Sequence, residues 1–526
     1  MKFSESLHYL VDTLCQTADL NAAKAAQILE ASNIVLDDLQ EWLHLDHAAH
    51  ESYGRKKIFE NDDFQLLLLS WLPHDYSAIH DHGSVQWGAV KAFGNIETAT
   101  YILHGNELTT YNRYLIPKGQ IDYVEYDLIH QMGNPSEKQS AISLHIYGKN
   151  RAGCVRIFEL DEQKIKKVLC GGAFFGLKEN QLDDLPEKVV PNYTTWLRYM
   201  TELIRRVRKA PDFFEKDIEK LIGEFFDKNQ KEALLNDIAR NTDKKGYFTD
   251  SVAWHLLNNE LAQAAKLQKQ LLNCSPKSDA LLFAQLYDQV RSQYSLNEFM
   301  KAYLDFFKEN YAVKLDTKKL ISIGCGTGLV EKYMLDKLGF RYENLYGIDI
   351  SEAMVQVASQ RINAEEGNVL TLDPAIQTWD LVYSGLNVLQ YLDHTFLASV
   401  IVQIARILNI GGYFIGDFIT PDHIRASQNV IFSEDKNIVS LRTANLIEKN
   451  HGIYLKTDIT NVHFSEKGIR ILPDSDERYL PPLSRVRDYF KRAFAVVDVY
   501  DAISLEPIPE YADTCQSTRY VIIAKR

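Results

Sequence analysis

Ile79-His80-Asp81-His82 sets two histidines two residues apart, and on an extended strand such residues project from the same face. Neutral imidazole is the commonest side-chain metal ligand. The pair could therefore hold a metal, although alone it is equally a pair of core or surface histidines. Further along, Ser143, His145 and Tyr147 alternate with Ile142, Leu144 and Ile146. A strand of that period turns three polar groups to one face and three aliphatic groups to the other. That polar face belongs either to a site or to solvent. A third constellation is Gly324-Cys325-Gly326-Thr327-Gly328, between the apolar run Leu320–Ile323 and a helix-like stretch from Leu329. A second apolar segment then ends in Asp349. Glycines let backbone approach a cofactor closely, and an acid at the next strand's end can accept bonds from ribose hydroxyls. NAD is one candidate for such a loop, but its usual third glycine would fall at Leu329.

His130-Gln131-Met132-Gly133-Asn134 adds a second motif, and the two together resemble the cupins: His-x-His followed by His-x-x-x-Asn. Many cupins carry a glutamate ligand four or five residues after the second histidine. Those positions are Gln86 and Trp87 here, so the implied ligands are His80, His82 and His130. Three neutral nitrogens leave the other positions of an octahedral Fe(II) open for substrate and dioxygen together. Tyr53-Gly54-Arg55, Gly94-Asn95 and Ser143-Leu144-His145-Ile146-Tyr147 narrow the resemblance to cysteine dioxygenase, from about Tyr53 to Cys154. It implies that Arg55 grips the substrate carboxylate, with Tyr53 in the same substrate-binding segment. A guanidinium fork suits that geometry. It implies a relay through Ser143, His145 and Tyr147 that orients ligands and oxygen. Animal members cross-link a cysteine to the residue equivalent to Tyr147. The aligned position is Trp87, or Gly88 if the alignment slips by one. No cysteine occurs between Cys15 and Cys154, so the cross-link is absent.

The glycine loop, Gly347-Ile348-Asp349-Ile350-Ser351, Trp379-Asp380-Leu381-Val382-Tyr383 and Leu408-Asn409-Ile410-Gly411-Gly412-Tyr413 together resemble class I S-adenosylmethionine-dependent methyltransferases over about residues 281 to 526. The resemblance implies that Gly324, Gly326 and Gly328 line the methionine part of the cofactor. Asp349 then holds the ribose, Ile350 lies against the adenine, and Asn368 accepts from its amino group where the family often has an acid. Cys325 reads as a turn residue, and Tyr287 either covers the cofactor or belongs to the core. His394 reads as a histidine at a helix start.

These motifs need elements to position them. Of 526 residues, 46% are hydrophobic and 25% charged, an ordinary globular composition sufficient for about three domains. The expected order is an all-β cupin barrel with N-terminal helices over 1–185, a helical connector over 186–280 with a break at Cys274–Asp279, and a Rossmann-like α/β methyltransferase over 281–526. A net charge of −13 gives no broad footprint for nucleic acid or an anionic membrane. The basic run Arg205-Arg206-Val207-Arg208-Lys209 reads as a solvated helix face. Six scattered cysteines suit a reducing compartment. A cytoplasmic bifunctional enzyme is expected. Its thiol dioxygenase makes a sulfinate from cysteine or a cysteine-like carboxylated thiol, and its methyltransferase acts on a small acceptor in the same sulfur pathway. The rivals are a metal- or thiol-binding and S-adenosylmethionine-binding sensor without turnover, and two independent activities fused.

Overall fold

The computed structural model describes residues 3–83, 87–124, 128–149, 154–169, 172–177, 181–214, 216–272, 275–291, 296–311, 314–510 and 517–526. Gln86 and Cys274, both used above, lie outside the described residues. The chain divides into two compact units, residues 1–241 with 249–264, and residues 242–248 with 265–526. The expected helical stretch is present as Tyr193–Lys209, Ile218–Phe225, Lys231–Asn241, Ser251–Leu272 and the start of Pro276–Arg291. Its first three helices belong to the first unit.

In the first unit, helices Glu5–Gln16 and Ala22–Ala31 begin at Ser4 and Asn21, whose side chains accept the Leu7 and Lys24 amides. Such caps satisfy amides the first turn leaves orphaned. The helices bury Leu7, Leu10, Leu14 and Leu29 against one face of a five-stranded sheet. That sheet orders Gly54–Glu60, Phe64–Trp71, Ala141–Gly148, Gly88–Ala92 and Ile121–Val124, all antiparallel. Phe64–Trp71 is apolar nearly throughout because both its faces are covered. Leu66 and Leu68 meet the helices, while Leu67, Leu69 and Trp71 face the interior with Val90, Ile96 and Met132. Each buried leucine contributes roughly 1.5–3 kcal/mol by leaving water. The neighbouring strand follows the same rule, with Ile142, Leu144 and Ile146 toward the helices. An eight-stranded sheet supplies the opposing layer, with His80–Asp81 between Arg156–Glu159 and Ile129–Gly133.

Helix Tyr193–Lys209 corrects one expectation. Arg206 is only 2% exposed, donates to Asp75 Oδ1 at 3.2 Å, and shares that oxygen with Lys209 Nζ at 2.8 Å. His47 Nε2 lies 2.9 Å from the other Asp75 oxygen. Arg206 thus docks the helix on a buried carboxylate, while Arg208 and Lys209 remain exposed as a solvated face would be.

The second unit is built on a seven-stranded sheet. Asn363–Glu366, Leu345–Asp349, Leu320–Ile323, Trp379–Ser384 and Leu408–Ile419 run parallel in that spatial order. Arg519–Lys525 and Val496–Asp501 complete it, each antiparallel to the strand before it in the sheet. Chain order reverses beside Leu320–Ile323, and such switch points open a crevice at the strands' carboxyl ends. Between Leu408–Ile419 and Val496–Asp501, the strands Val430–Phe432, Ile438–Lys449, Gly452–Ser465 and Gly468–Leu480 form a separate four-stranded antiparallel sheet.

Candidate functional site

His80 and His130 are register partners on adjacent strands, and His82 follows two residues after His80. Their Nε2 atoms converge, His82 to His130 at 2.9 Å and His130 to His80 at 3.2 Å. For a metal–nitrogen bond of about 2.1 Å, neighbouring ligands stand about 3.0 Å apart on an octahedron and about 3.4 Å apart on a tetrahedron. The shorter distance matches the octahedral figure, and the longer lies between the two. All three histidines thus fit one metal ion with further positions open. His80 Nδ1–H donates to Ala78 O at 2.8 Å, which leaves Nε2 with its lone pair. Burial depresses every imidazole in the cluster: His80 falls to about 4, His82 to about 3, and His130 well below its ordinary 6.5. Mutual repulsion adds to the effect on His82 and His130. The cluster is neutral at physiological pH, as ligation requires.

Asp81, between the two histidines, is not aimed at this point. Its carboxylate accepts the Arg156 Nε–H at 2.7 Å and the Arg156 amide at 3.1 Å, pinning the strand to its neighbour.

Ser143, His145 and Tyr147 share the interior face. Ser143 Oγ lies 2.7 Å from His145 Nε2, and His145 Nδ1 lies 2.7 Å from the Tyr147 hydroxyl. Trp71 Nε1–H donates to Ser143 Oγ at 2.8 Å. Burial takes His145 to about 3, so its ring is neutral. With Ser143 donating to Nε2, the ring proton sits on Nδ1 and is donated to Tyr147. The phenolic hydrogen is then free. Tyr147 lines one cavity with His82, His130, Val90, Ile116 and Met132, and its ring centroid is 5.6 Å from that of His82. Arg55 pairs with Leu69, an interior-facing residue, and its charge acts on both His145 and Tyr147. Tyr53 stacks on Phe174 at 4.7 Å and packs on Trp71 at 4.8 Å.

Register settles which residue stands beside Tyr147. Gly88 is its partner, and a Cβ there would lie 3.2 Å from Tyr147 Cδ1 and 3.3 Å from Cε1. Glycine puts no sulfur against the ring.

Gln131 is named above only as part of the His130–Asn134 motif, and nothing in its type or spacing marks its role. Its side chain donates to Glu202 at 2.6 Å and accepts from Tyr101 at 3.1 Å. Arg198 donates to Glu202 at 2.5 Å and to Glu97 at 2.7 Å. This buried network ties the strand carrying His130 to helix Tyr193–Lys209.

In the second unit, Gly324, Gly326 and Gly328 have φ of 69°, 54° and 74°, a region costly for residues with a Cβ. A Cβ on Gly324 would also stand 2.3 Å from Val388 Cγ1. Asp349 accepts the Gly326 amide on Oδ2 and the Ser351 amide on Oδ1, each at 2.9 Å. The acid holds the loop before any ligand arrives. Thr327 donates to Asp288 at 2.5 Å, and Arg361 donates to the Thr327 carbonyl at 3.0 Å. Ile350 is 78% exposed, and Asn368 Oδ1 accepts the Leu370 amide at 3.0 Å. Gly324, Gly326, Asp349, Ile350, Asn368 and Tyr287 line one cleft of about 790 Å³, within the usual range of ligand pockets, whereas Gly328 is not on its wall and lies against Ile362 and Ala358. Burial pushes the Cys325 thiol up, against a nucleophilic role. Glu331, on the helix after the loop, is buried and pushed up to about 7 while accepting from Ser322 at 2.5 Å. His394 stacks on His451 in a different depression.

Residues 2–158 match the family model for cysteine dioxygenase type I, and residues 321–412 match that for a methyltransferase domain. Human cysteine dioxygenase type 1 is 23% identical over 165 residues, covering 30% of this chain and 81% of the human one. The Danio rerio protein of that name is 22% identical over 156 residues, 28% of this chain and 78% of that protein. A solved S-adenosylmethionine-dependent methyltransferase from Clostridium acetobutylicum aligns at 17% identity and TM-score 0.38, over 46% of this chain and 97% of its own. CalS10, an amino pentose methyltransferase from Micromonospora echinaspora, aligns at 15% and 0.35, over 47% and 96%. Among the described residues, no helix is long and apolar enough to cross a membrane.

Proposed function

We propose that this chain, which joins an N-terminal cysteine dioxygenase type I domain to a C-terminal methyltransferase domain, is a bifunctional enzyme of sulfur chemistry. The first part oxidises cysteine, or a cysteine-like carboxylated thiol, to a sulfinate. The second transfers a methyl group from S-adenosylmethionine to a small acceptor in the same pathway. One observation carries the reading: three neutral imidazoles converge at 2.9 and 3.2 Å within reach of the Ser143–His145–Tyr147 chain. We assign residues 1–185 to oxidation, 186–280 to support and 281–526 to methylation, in a cytoplasmic setting.

Fe(II) held by His80, His82 and His130 would supply the electronic route by which both atoms of dioxygen add to a thiolate sulfur. Arg55 pairs with the substrate carboxylate, fork to fork. Tyr147 offers its free phenolic hydrogen to the reacting groups, and Ser143 and His145 hold it in place. The apolar wall of Val90, Ile116 and Met132 excludes water, which strengthens each polar contact inside.

Methyl transfer breaks the sulfonium S–CH₃ bond and forms a bond to an acceptor lone pair, leaving a neutral thioether. It depends chiefly on alignment. Gly324 and Gly326 bring backbone to the methionine portion, and Gly328 shapes the turn behind them. Asp349 takes the ribose hydroxyls, Ile350 lies on the adenine, and Asn368 accepts from its amino group.

The test is oxygen uptake by the iron-loaded full chain with L-cysteine, with products identified by mass spectrometry. Sulfinate formed in step with oxygen consumed is expected. Thiol binding without oxygen uptake would point to a sensor instead.

A further inference from the structure

The cleft that holds the glycine loop is also lined by the four-stranded antiparallel sheet. Directly opposed residues of such a sheet share a face, as do alternate residues of one strand. Arg442 opposes Ile459, which opposes Asp474. In the next row Ala444 opposes Thr457, which opposes Asp476, and Leu455 opposes Arg478 beyond it. Arg442, Thr457, Asp474, Asp476 and Arg478 therefore form one polar patch, and all five line the cleft.

On the edge strand of this patch Arg478 donates to Asp476 Oδ2 at 2.6 Å, with its guanidinium 5.1 Å over the Tyr391 ring. The two side chains are only 11% and 14% exposed. Arg478 Nε and Asp476 Oδ1 are nonetheless buried without a hydrogen-bond partner among the described residues. Buried polar atoms are ordinarily satisfied, and those that are not call for a partner. Both residues line the cleft, so a ligand can offer the guanidinium an anion and the carboxylate a cation in place of their bond to each other.

We infer that this patch is the methyl-acceptor subsite, and that it takes a zwitterionic amino acid. The anionic group of the ligand pairs with the Arg478 guanidinium, and its ammonium pairs with the Asp476 carboxylate. An acceptor with anions alone would face Asp476 unpaired, and one with an ammonium alone would face Arg478. A sulfinate made from cysteine keeps both the amino and carboxyl groups and belongs to the class that fits. This deepens the methyltransferase reading of the cleft and rests on it.

The experiment is calorimetry on the metal-free full chain saturated with S-adenosylhomocysteine. The probes are L-cysteine sulfinate, 3-sulfinopropionate, which lacks the ammonium, and 2-aminoethyl methyl sulfone, which lacks both anions. L-Cysteine sulfinate should bind at least ten-fold more tightly than either. Asp476→Asn and Arg478→Gln should each weaken it ten-fold or more and leave S-adenosylhomocysteine affinity unchanged. Equal binding of the three probes by the parent, no binding of any, or unchanged binding by both variants overturns the inference while the cofactor reading stands. Failure of the parent to bind S-adenosylhomocysteine removes the cofactor reading and the inference with it.

Discussion

His80 Nδ1 lies 2.8 Å from the Ala78 carbonyl oxygen, and that one bond decides which nitrogen faces the cluster. The neutral ring must donate from Nδ1, so the Nε2 lone pair is left toward His130, 3.2 Å away. A backbone carbonyl two residues upstream thus prepares a ligand. One Fe(II) per chain should bind, and alanine at His80, His82 or His130 should remove most of the metal and all thiol-dependent oxygen uptake. Metal content by plasma mass spectrometry checks this, and full iron occupancy in His130→Ala would sink the assignment.

Arg55 bears on which thiol is used. It shares the interior with Tyr147 and His145, on which its charge acts. A charge-assisted hydrogen bond contributes about 1.5–3 kcal/mol, or roughly ten- to hundred-fold in binding. Arg55→Ala should raise the KM for cysteine by that factor and change the KM for cysteamine little. Steady-state oxygen electrode measurements with both thiols decide it. Equal use of the two by the parent protein would count against a carboxylate-reading arginine.

Much of this was legible because it is local. Strand period alone separated Ser143, His145 and Tyr147 from Ile142, Leu144 and Ile146, and the structure puts the two sets on opposite faces. The glycine loop and Asp349 were likewise readable from one strand–turn–helix. What escaped depends on partners distant in sequence. Arg206 looked like a solvated charge because Asp75, which buries it, lies 131 positions away. The choice between Trp87 and Gly88 needed the register with Tyr147. Arg478 and Asp476 gave no sign until strand pairing set them in one cleft.

The imidazoles also make acid sensitivity calculable in sign. His80 titrates at about 4 in the folded chain, and His82 and His145 at about 3, against about 6.5 when unfolded. Between those values the unfolded chain takes up protons that the folded chain refuses, so stability falls as pH drops from about 6.5 toward 4. The loss approaches roughly 2 kcal/mol per histidine by pH 5, at about 1.4 kcal/mol per pH unit. Urea midpoints of the metal-free protein should fall between pH 7.5 and pH 5, and His145→Gln should flatten the slope. A midpoint constant over that range would contradict the burial of neutral rings.

Asp349 serves the loop before it serves a cofactor, because it already accepts the Gly326 amide. Asp349→Ala should therefore weaken S-adenosylmethionine binding at least ten-fold, through both the lost ribose contact and a looser loop. It should leave oxygen uptake at the parental rate. Calorimetry that showed NADH binding and no S-adenosylmethionine binding would reverse the assignment of the second site.

Whether the two sites serve one pathway is the sharpest question, and separate variants of each site can answer it. Covalent fusion raises the local concentration of one site's product near the other, although proximity alone does not make a channel. If oxidation comes first, a single reaction with a cysteine-like thiol, dioxygen and S-adenosylmethionine should yield a product carrying both oxygen and methyl. It should do so only with the parent chain. His82→Ala should give neither modification, and Asp349→Ala should give the sulfinate alone. Adding synthetic sulfinate to His82→Ala should restore methylation at the parental rate, which shows that the second site is intact and was waiting for its substrate. Methylation of the unoxidised thiol by His82→Ala at the parental rate would reverse the order of steps. Absence of methyl transfer to any sulfur compound in all three proteins would separate the two activities altogether.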